Sequence, residues 1–539
     1  MNGHVACGET HHEKRASFNR FTDLRAVTRR RTHHPCPRLG GIHFPYPSSR
    51  SSVAAVGRSI RVAVIGAGVS GICAVHYLRT VPGVTCVAFE KAERVGGTWR
   101  DNTYPGVACD LPSRYYSFSF GPAHDWTRSL ASGSEILTYI EKVVRQLGVD
   151  NDIRFGREAE TLTWDEPARQ WIVEVRGCPP ERFDAVVAAT GFLRVPRMPD
   201  IKALDAFEGP VFHTSRWNHQ IPLQDKRLAV VGTGASAIQI VTALAPVARS
   251  LVVFQSTPSW ILPFRSIGYS RLGRLLYRTI PGLRELHYNA NRVLWETLLE
   301  GTVHPGITRE LLSRACRWHL RAAVHDAGLR RKLTPDYQPL CRRGLLGTDF
   351  YRTLARHDVT LVDSPAAAAG RQEIEAENGT VHPADVLVLA TGFDAQAYLH
   401  PITVRGRQGI PLADHWKPGP RSYLSVMVPS FPNFFMMQGP YSPSGNQSSI
   451  AAAEIQAKYI AKCLRALHRG QADVLEPTED ATDTFLRHTR SALPRTVWAS
   501  GCHSYYLGPD GTPVVWPWNA RAYRRRLRRP RLPDLVPEN

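Results

Sequence analysis

The 539-residue chain has no uninterrupted apolar run of about 18 residues or more, so no membrane-spanning helix is expected. It has no C-x-x-C pair, and its ten cysteines are irregularly spaced. That speaks against a disulfide framework, a zinc or other metal site, and a dithiol redox centre. The N-terminus lacks the basic, apolar, small-residue order of a signal peptide. A reducing, cytoplasmic setting is therefore the default expectation. Lysine is scarce: of 67 basic residues only nine are lysine, and the formal net charge is +20. The arginines are scattered, with short runs at Arg29–Arg31 and Arg524–Arg526. Charge alone permits nucleic-acid binding. No nucleic-acid motif accompanies it, and a solvated basic surface that attracts anionic small molecules is the plainer reading. Hydrophobic content of 43% and charged content of 21% are those of a globular protein, long enough for two or three domains.

What is present centres on Arg61-Val-Ala-Val-Ile-Gly66-Ala-Gly68-Val-Ser-Gly71. Four apolar residues, Val62 to Ile65, read as a buried strand, and Ile72 to Leu78 read as a helix. Between them lies G-x-G-x-x-G. Gly66 permits the tight turn, Gly68 lets a pyrophosphate approach the backbone, and Gly71 lets helix and strand pack closely. The helix N-terminus offers free N–H groups to phosphate. A second strand, from Thr85, ends at Glu90, 19 positions after Gly71. That is the interval expected of a carboxylate that binds ribose hydroxyls.

A second unit of this kind follows. Leu228–Val231 is a strand, Gly232-Thr233-Gly234-Ala235-Ser236-Ala237 is the G-x-G-x-x-A variant, and Ser250–Phe254 is the next strand. The segment Gln255-Ser256-Thr257-Pro258 follows it without an acid, which disfavours an NAD-type ribose contact. Two strands end in Ala-Thr-Gly, one at Thr190-Gly191 and one at Thr391-Gly392, which suggests that the chain leaves one domain and returns to it. The expected fold is α/β, with two interleaved Rossmann-like dinucleotide-binding domains: a flavin resident in the first, a visiting nicotinamide in the second. Residues 1–57 read as a disordered extension or an overlong start, with an Arg-rich targeting peptide as the minority alternative. Residues 58–195 and 385–539 form the first domain and its tail, and 196–384 the second. Within 265–335 apolar residues recur at three and four spacing, as in Leu272, Leu275, Leu276 and Leu294, Leu298, Leu299. This predicts a helical insertion whose apolar positions are core. Ser134 is a candidate N-cap for the helix over Glu135–Ile140.

Two further segments carry a resemblance. The loop Gly96-Gly97-Thr98-Trp99 through Tyr104-Pro105-Gly106 to Asp110 fits G-G-x-W-x-x-x-x-Y-P-G-x-x-x-D. The segment Phe207-Glu-Gly209-Pro-Val-Phe-His213-Thr-Ser-Arg-Trp217 fits F-x-G-x-x-x-H-x-x-x-W. With the two nucleotide-binding turns, these make the chain over residues 60–525 resemble the flavin-dependent Baeyer–Villiger monooxygenases, which hold FAD and use NADPH and molecular oxygen. Related N- and S-oxygenating flavin enzymes usually lack the final Trp, so Trp217 favours the Baeyer–Villiger branch. Asn218 departs from the Pro or Asp usual after that Trp.

The resemblance implies roles. Gly97, Thr98, Trp99, Tyr104 and Asp110 line the flavin side, and His213 acts at the domain linker. Arg343 is the active-site arginine, oriented by Asp110, and Arg342 stands where a lysine commonly meets the nicotinamide 2′-phosphate. Relatives often carry Arg at the place of Ser256. Its absence removes a bidentate phosphate partner and makes the NADPH preference modest. The implied reaction inserts one oxygen beside a ketone carbonyl, giving an ester or lactone. The rival readings are a flavin enzyme that oxygenates nitrogen or sulfur, and a protein that binds FAD and NAD(P) without oxygenating. Substrate identity and oligomeric state are not encoded in any motif.

Overall fold

The computed structural model describes residues 57–121 and 125–536. The extension expected over 1–57 therefore lies, save for Gly57, outside the described residues.

Two five-stranded sheets carry the fold, and every strand pair in both is parallel. The first has the order Phe434–Met436, Ala185–Ala188, Ile60–Ile65, Val84–Phe89, Ile153–Arg154. The second has the order Val359–Val362, Ser250–Phe254, Arg227–Val231, Val386–Leu389, Val211–His213. The reason is legible in the strands themselves. Val62, Ala63 and Val64 are fully buried, as are Leu228, Ala229 and Val230. Runs apolar on both faces suit only sheets covered on both sides. In each sheet the glycine-bearing strand is the central one, so its turn opens at the carboxyl end, where the strand order reverses. A four-stranded sheet (Ala159–Asp165, Gln170–Val175, Glu181–Phe183, Thr403–Arg405) and a three-stranded one (Ala366–Ala369, Glu373–Ala376, Val381–Pro383) complete the strands discussed here.

The chain passes from the first sheet to the second and back along paired crossings. Arg197 N–H donates to Gly392 O at 3.0 Å, and Asp394 N–H donates to Val195 O at 2.9 Å. The expected boundary at 385 needs correction. Val386–Leu389 pairs with Arg227–Val231 and Val211–His213 in the second sheet, so the return begins only after Leu389. A buried Val/Leu run ending in Ala-Thr-Gly reads the same in either sheet, and periodicity carries no partner information.

The insertion is helical: Arg271–Thr279, Leu283–Leu299, Ile307–Ala323 and Ala327–Lys332. Its apolar positions are not the core that the spacing predicts. Leu272, Leu275, Leu276 and Leu294 are exposed, while Leu298 and Leu299 are half-buried. The buried contacts come instead from Tyr277, Trp295 and Leu312. Helical spacing identifies an apolar face but not the surface that covers it. One smaller difference concerns the helix Gly133–Gln146. Its N-cap is Ser132, whose hydroxyl accepts from Glu135 N–H, and not Ser134.

Candidate active site

A cavity of about 1260 Å³ runs between the carboxyl ends of the two sheets. Its wall includes Gly66, Gly68 and Glu90 from the first turn, and Gly232, Thr233, Gly234, Ala235 and Ser236 from the second. Gly97, Thr98, Trp99, Tyr104, Asp110, Ser256, Thr257, Arg342, Arg343, Thr391 and Gly392 also line it. Gly71, Phe207, Gly209, His213 and Trp217 are not on this wall.

The glycines divide by role. Gly66 has φ +102°, and a Cβ there would sit 2.8 Å from Ala189 O. A Cβ on Gly71 would lie 1.9 Å from Gly66 O, so this residue sets helix–strand contact rather than ligand contact. Gly68 differs: a Cβ would meet only the Gly97 backbone, at 3.5 Å or more, and at Gly234 it would meet nothing within 4 Å. The middle glycine of each turn thus faces open space beside a helix N-terminus, the shape that a pyrophosphate needs. Glu90 is buried. Its Oε1 accepts from Arg100 at 2.9 Å and from Ala92 N–H at 3.0 Å, and its Oε2 accepts from Ala67 N–H at 2.8 Å. A carboxylate oxygen has two lone pairs, so Oε2 keeps capacity for one hydroxyl donor.

The Gly96–Asp110 loop bridges the two units. Tyr104 OH donates to Gln239 Oε1 at 2.9 Å, and a Cβ on Gly106 would fall 2.8 Å from Gln239 O. Gln239 sits on the helix that follows the second glycine turn. Trp99 Nε1–H donates to Tyr116 OH at 3.1 Å. The loop ends at Asp110, whose Oδ2 accepts from Arg343 Nε–H at 2.8 Å. Burial pushes the Asp110 carboxyl above its ordinary range, and Arg343 draws it back in part. Burial opposes the charge of Arg343, but Asp110 beside it holds the guanidinium firmly protonated. Arg342 packs its guanidinium 5.2 Å over the Tyr337 ring.

The segment Phe207–Trp217 lies at the crossings instead. Buried His213 accepts Ser215 N–H on Nδ1 at 3.1 Å, and its ring meets Phe393 edge-on at 5.8 Å. A Cβ on Gly209 would fall 2.3 Å from Asp385 O, so the backbone passes close to the second sheet there. Trp217 packs edge-on against Phe212.

Sequence reading missed two parts of the site. The first is the loop Ser444–Ser448 and the helix Ser449–His468. Gln438, Gln447 and Ser449 line the cavity. Gln447 is buried, and neither of its amide atoms has a hydrogen-bond partner among the described residues. The Ser/Gly/Asn/Gln stretch before a long apolar helix was the available signal. The second is a disulfide between Cys341 and Cys502, 161 positions apart. It ties the Arg342–Arg343 segment to the one bearing Tyr505 and Tyr506, both on the cavity wall. Spacing patterns reveal disulfide frameworks but not a single long-range bridge.

Residues 59–272 match the family model described as flavin-binding monooxygenase-like. The chain is 42% identical to an uncharacterized monooxygenase of Mycobacterium tuberculosis strain H37Rv, over 87% of this chain and 94% of the other. It is 38% identical to a Baeyer–Villiger monooxygenase of Streptomyces coelicolor, over 87% and 91%. The chain belongs to the Baeyer–Villiger monooxygenase family. Among solved structures it resembles OTEMO in complex with FAD and NADP, with TM-score 0.78, 26% identity, and coverage of 87% and 97%. Among the described residues, no helix is long and apolar enough to cross a membrane.

Proposed function

We propose that this monooxygenase holds FAD at the first glycine turn and uses NADPH and molecular oxygen to insert one oxygen atom beside a ketone carbonyl, giving an ester or lactone. The observation that carries the reading is the Arg343–Asp110 pair at 2.8 Å on the wall of the cavity that both glycine turns share. When bound, the reduced flavin supplies the activated oxygen and the nicotinamide its hydride.

The chain's own residues bind, orient and polarise. Gly68 leaves room for the pyrophosphate of FAD, and Glu90 accepts a ribose hydroxyl. Gly234 does the same for the pyrophosphate of the nicotinamide, with Ser256, Thr257 and Arg342 at its adenosine end. Arg343 faces the negative charge that develops on oxygen. A guanidinium stays charged at every relevant pH and offers several donors in a fixed plane, and in a site shielded from water such donors count for more than in solution. Asp110 fixes the plane of that guanidinium. Gln438 and Gln447 offer further polar groups to the flavin. His213, at the crossings, couples seating of the nicotinamide to the flavin side.

Incubation of purified protein with NADPH and a ketone panel, followed by mass spectrometry, tests this reading. A product one oxygen heavier than the ketone is expected. A thioether run in parallel separates the rivals. Oxygen gain on the thioether alone would assign the site to soft nucleophiles, and NADPH consumption with no oxygenated product would favour a non-oxygenating redox protein.

A further inference from the structure

The helical insertion has a face that neither the cavity nor any other element among the described residues covers. Of thirteen large apolar side chains exposed among the described residues, eleven fall between Ile267 and Trp318. They recur at helical spacing on three successive helices. Leu272, Leu275 and Leu276 mark the first, Leu286, Val293 and Leu294 the second, and Ile307, Leu311 and Trp318 the third. Ile307 is 80% exposed and Trp318 66%. Each helix also turns a second face inward, through Tyr277, Trp295 and Leu320. The first helix packs on the second and the second on the third, so the outward stripes belong to one layer. Exposed apolar side chains gathered on one layer of a globular protein mark an interaction surface.

The charge around it selects the occupant. Between Arg265 and Pro335 there are thirteen Lys and Arg against five Asp and Glu, a surplus of eight cations. Arg271, Arg278 and Arg321 are exposed and have no acidic partner among the described residues. A second copy of the chain would bring the same surplus to the interface, and like charges disfavour that pairing. Leu, Ile and Trp framed by Arg instead match the chemistry of helices that lie in the headgroup region of an anionic bilayer.

We infer that the insertion docks the protein peripherally on an anionic lipid surface, with Leu272, Ile307 and Trp318 entering the interface and Arg271, Arg278 and Arg321 meeting lipid phosphates. The second of these helices also lines the cavity from its inner side, through Trp295 and Leu299. Docking would therefore set the cavity beside the lipid phase. The inference does not depend on which substrate is oxygenated.

Cosedimentation of the full chain with vesicles tests it. The probe is phosphatidylcholine vesicles with and without phosphatidylglycerol, at physiological salt. Wild type is expected to partition onto the anionic vesicles and to stay in solution with the neutral ones. Leu272→Gln/Ile307→Gln/Trp318→Gln changes only exposed positions and should keep cofactor content and activity in solution while losing at least about tenfold in partitioning. Arg271→Gln/Arg278→Gln/Arg321→Gln should lose a similar amount, and its residual binding should respond less steeply to salt than that of wild type. Equal partitioning of wild type and the apolar triple variant would overturn the inference, as would no binding of wild type to anionic vesicles. A concentration-dependent dimer of wild type, abolished by the apolar triple variant with no vesicle binding, would assign the face to a second copy instead.

Discussion

Arg343 and Asp110 lie 233 positions apart in the chain, yet Arg343 Nε–H donates to Asp110 Oδ2 at 2.8 Å. The pair joins the end of the loop beside the first glycine turn to a segment leading out of the helical insertion. The Asp110 side chain is 11% exposed, and that of Arg343 is 35% exposed on the cavity wall. The carboxylate is thus committed to the arginine, while the arginine keeps a free edge for a ligand.

The two glycines of the first turn should fail in different ways. Gly68→Leu has room at its Cβ and should fold but block the pyrophosphate, giving colourless protein. Gly71→Leu places a Cβ 1.9 Å from Gly66 O and should give little folded protein. Flavin absorbance per mole of folded protein checks both. A folded Gly68→Leu with full flavin content would contradict the placement.

Ser256 lines the cavity without a charge, so discrimination between NADPH and NADH should be modest. Ser256→Arg should lower the KM for NADPH selectively. One charge-assisted hydrogen bond contributes about 1.5–3 kcal/mol, or about tenfold and more. An unchanged ratio of kcat/KM for the two coenzymes would show that Ser256 does not face the 2′-phosphate.

The Cys341–Cys502 bridge closes a loop of 161 positions. Cys502→Ser should lower stability by about 2–4 kcal/mol in non-reducing buffer. The same substitution should have almost no effect when both proteins are kept in dithiothreitol. Denaturant titrations of both proteins in each buffer provide the check. A large difference that persists in dithiothreitol would place the effect in packing.

Acid should weaken the fold before it reaches the carboxylate range. Burial holds the imidazoles of His213, His319 and His415 below their ordinary pKa. The folded state keeps them neutral, whereas the unfolded chain takes up protons near pH 6.5. Stability is therefore whole above that pH and falls as the pH drops through it. Urea midpoints measured from pH 8 to pH 5 should decline below about 6.5. A flat profile over that range would contradict the neutral burial of these rings.

The two glycine turns and Glu90 were legible because each obeys a local rule of spacing, and the Gly96–Asp110 loop through the family resemblance that its motif carries. Strand identity was equally plain, since Val62–Ile65 and Leu228–Val231 are apolar on both faces. Three things were not legible. Sheet membership of Val386–Leu389 depends on partners, which no window of sequence contains. The exposure of Leu272 and Leu294 depends on what covers an apolar stripe, and nothing among the described residues does. The Cys341–Cys502 bridge depends on two segments meeting after the whole chain has folded. The site was thus readable where ligand contact is made by turns, and unreadable where it is made by tertiary closure, as at Gln447 and Tyr505.

The assignment of Arg343 is the central claim, and the ratio of ester formed to NADPH oxidised in Arg343→Ala tests it most directly. Both glycine turns lie elsewhere in the chain, so this variant should retain FAD, and reduction by NADPH should stay measurable. Oxygenation of a ketone should drop by at least about 10²-fold, the scale of losing one donor to a developing oxyanion. NADPH consumed should then reappear as hydrogen peroxide. Arg343→Lys should recover little, since an ammonium lacks the planar fork, and Asp110→Ala should uncouple more mildly. Wild-type coupling in Arg343→Ala on a ketone that the native enzyme converts would contradict the assignment and remove the main residue from the proposed mechanism.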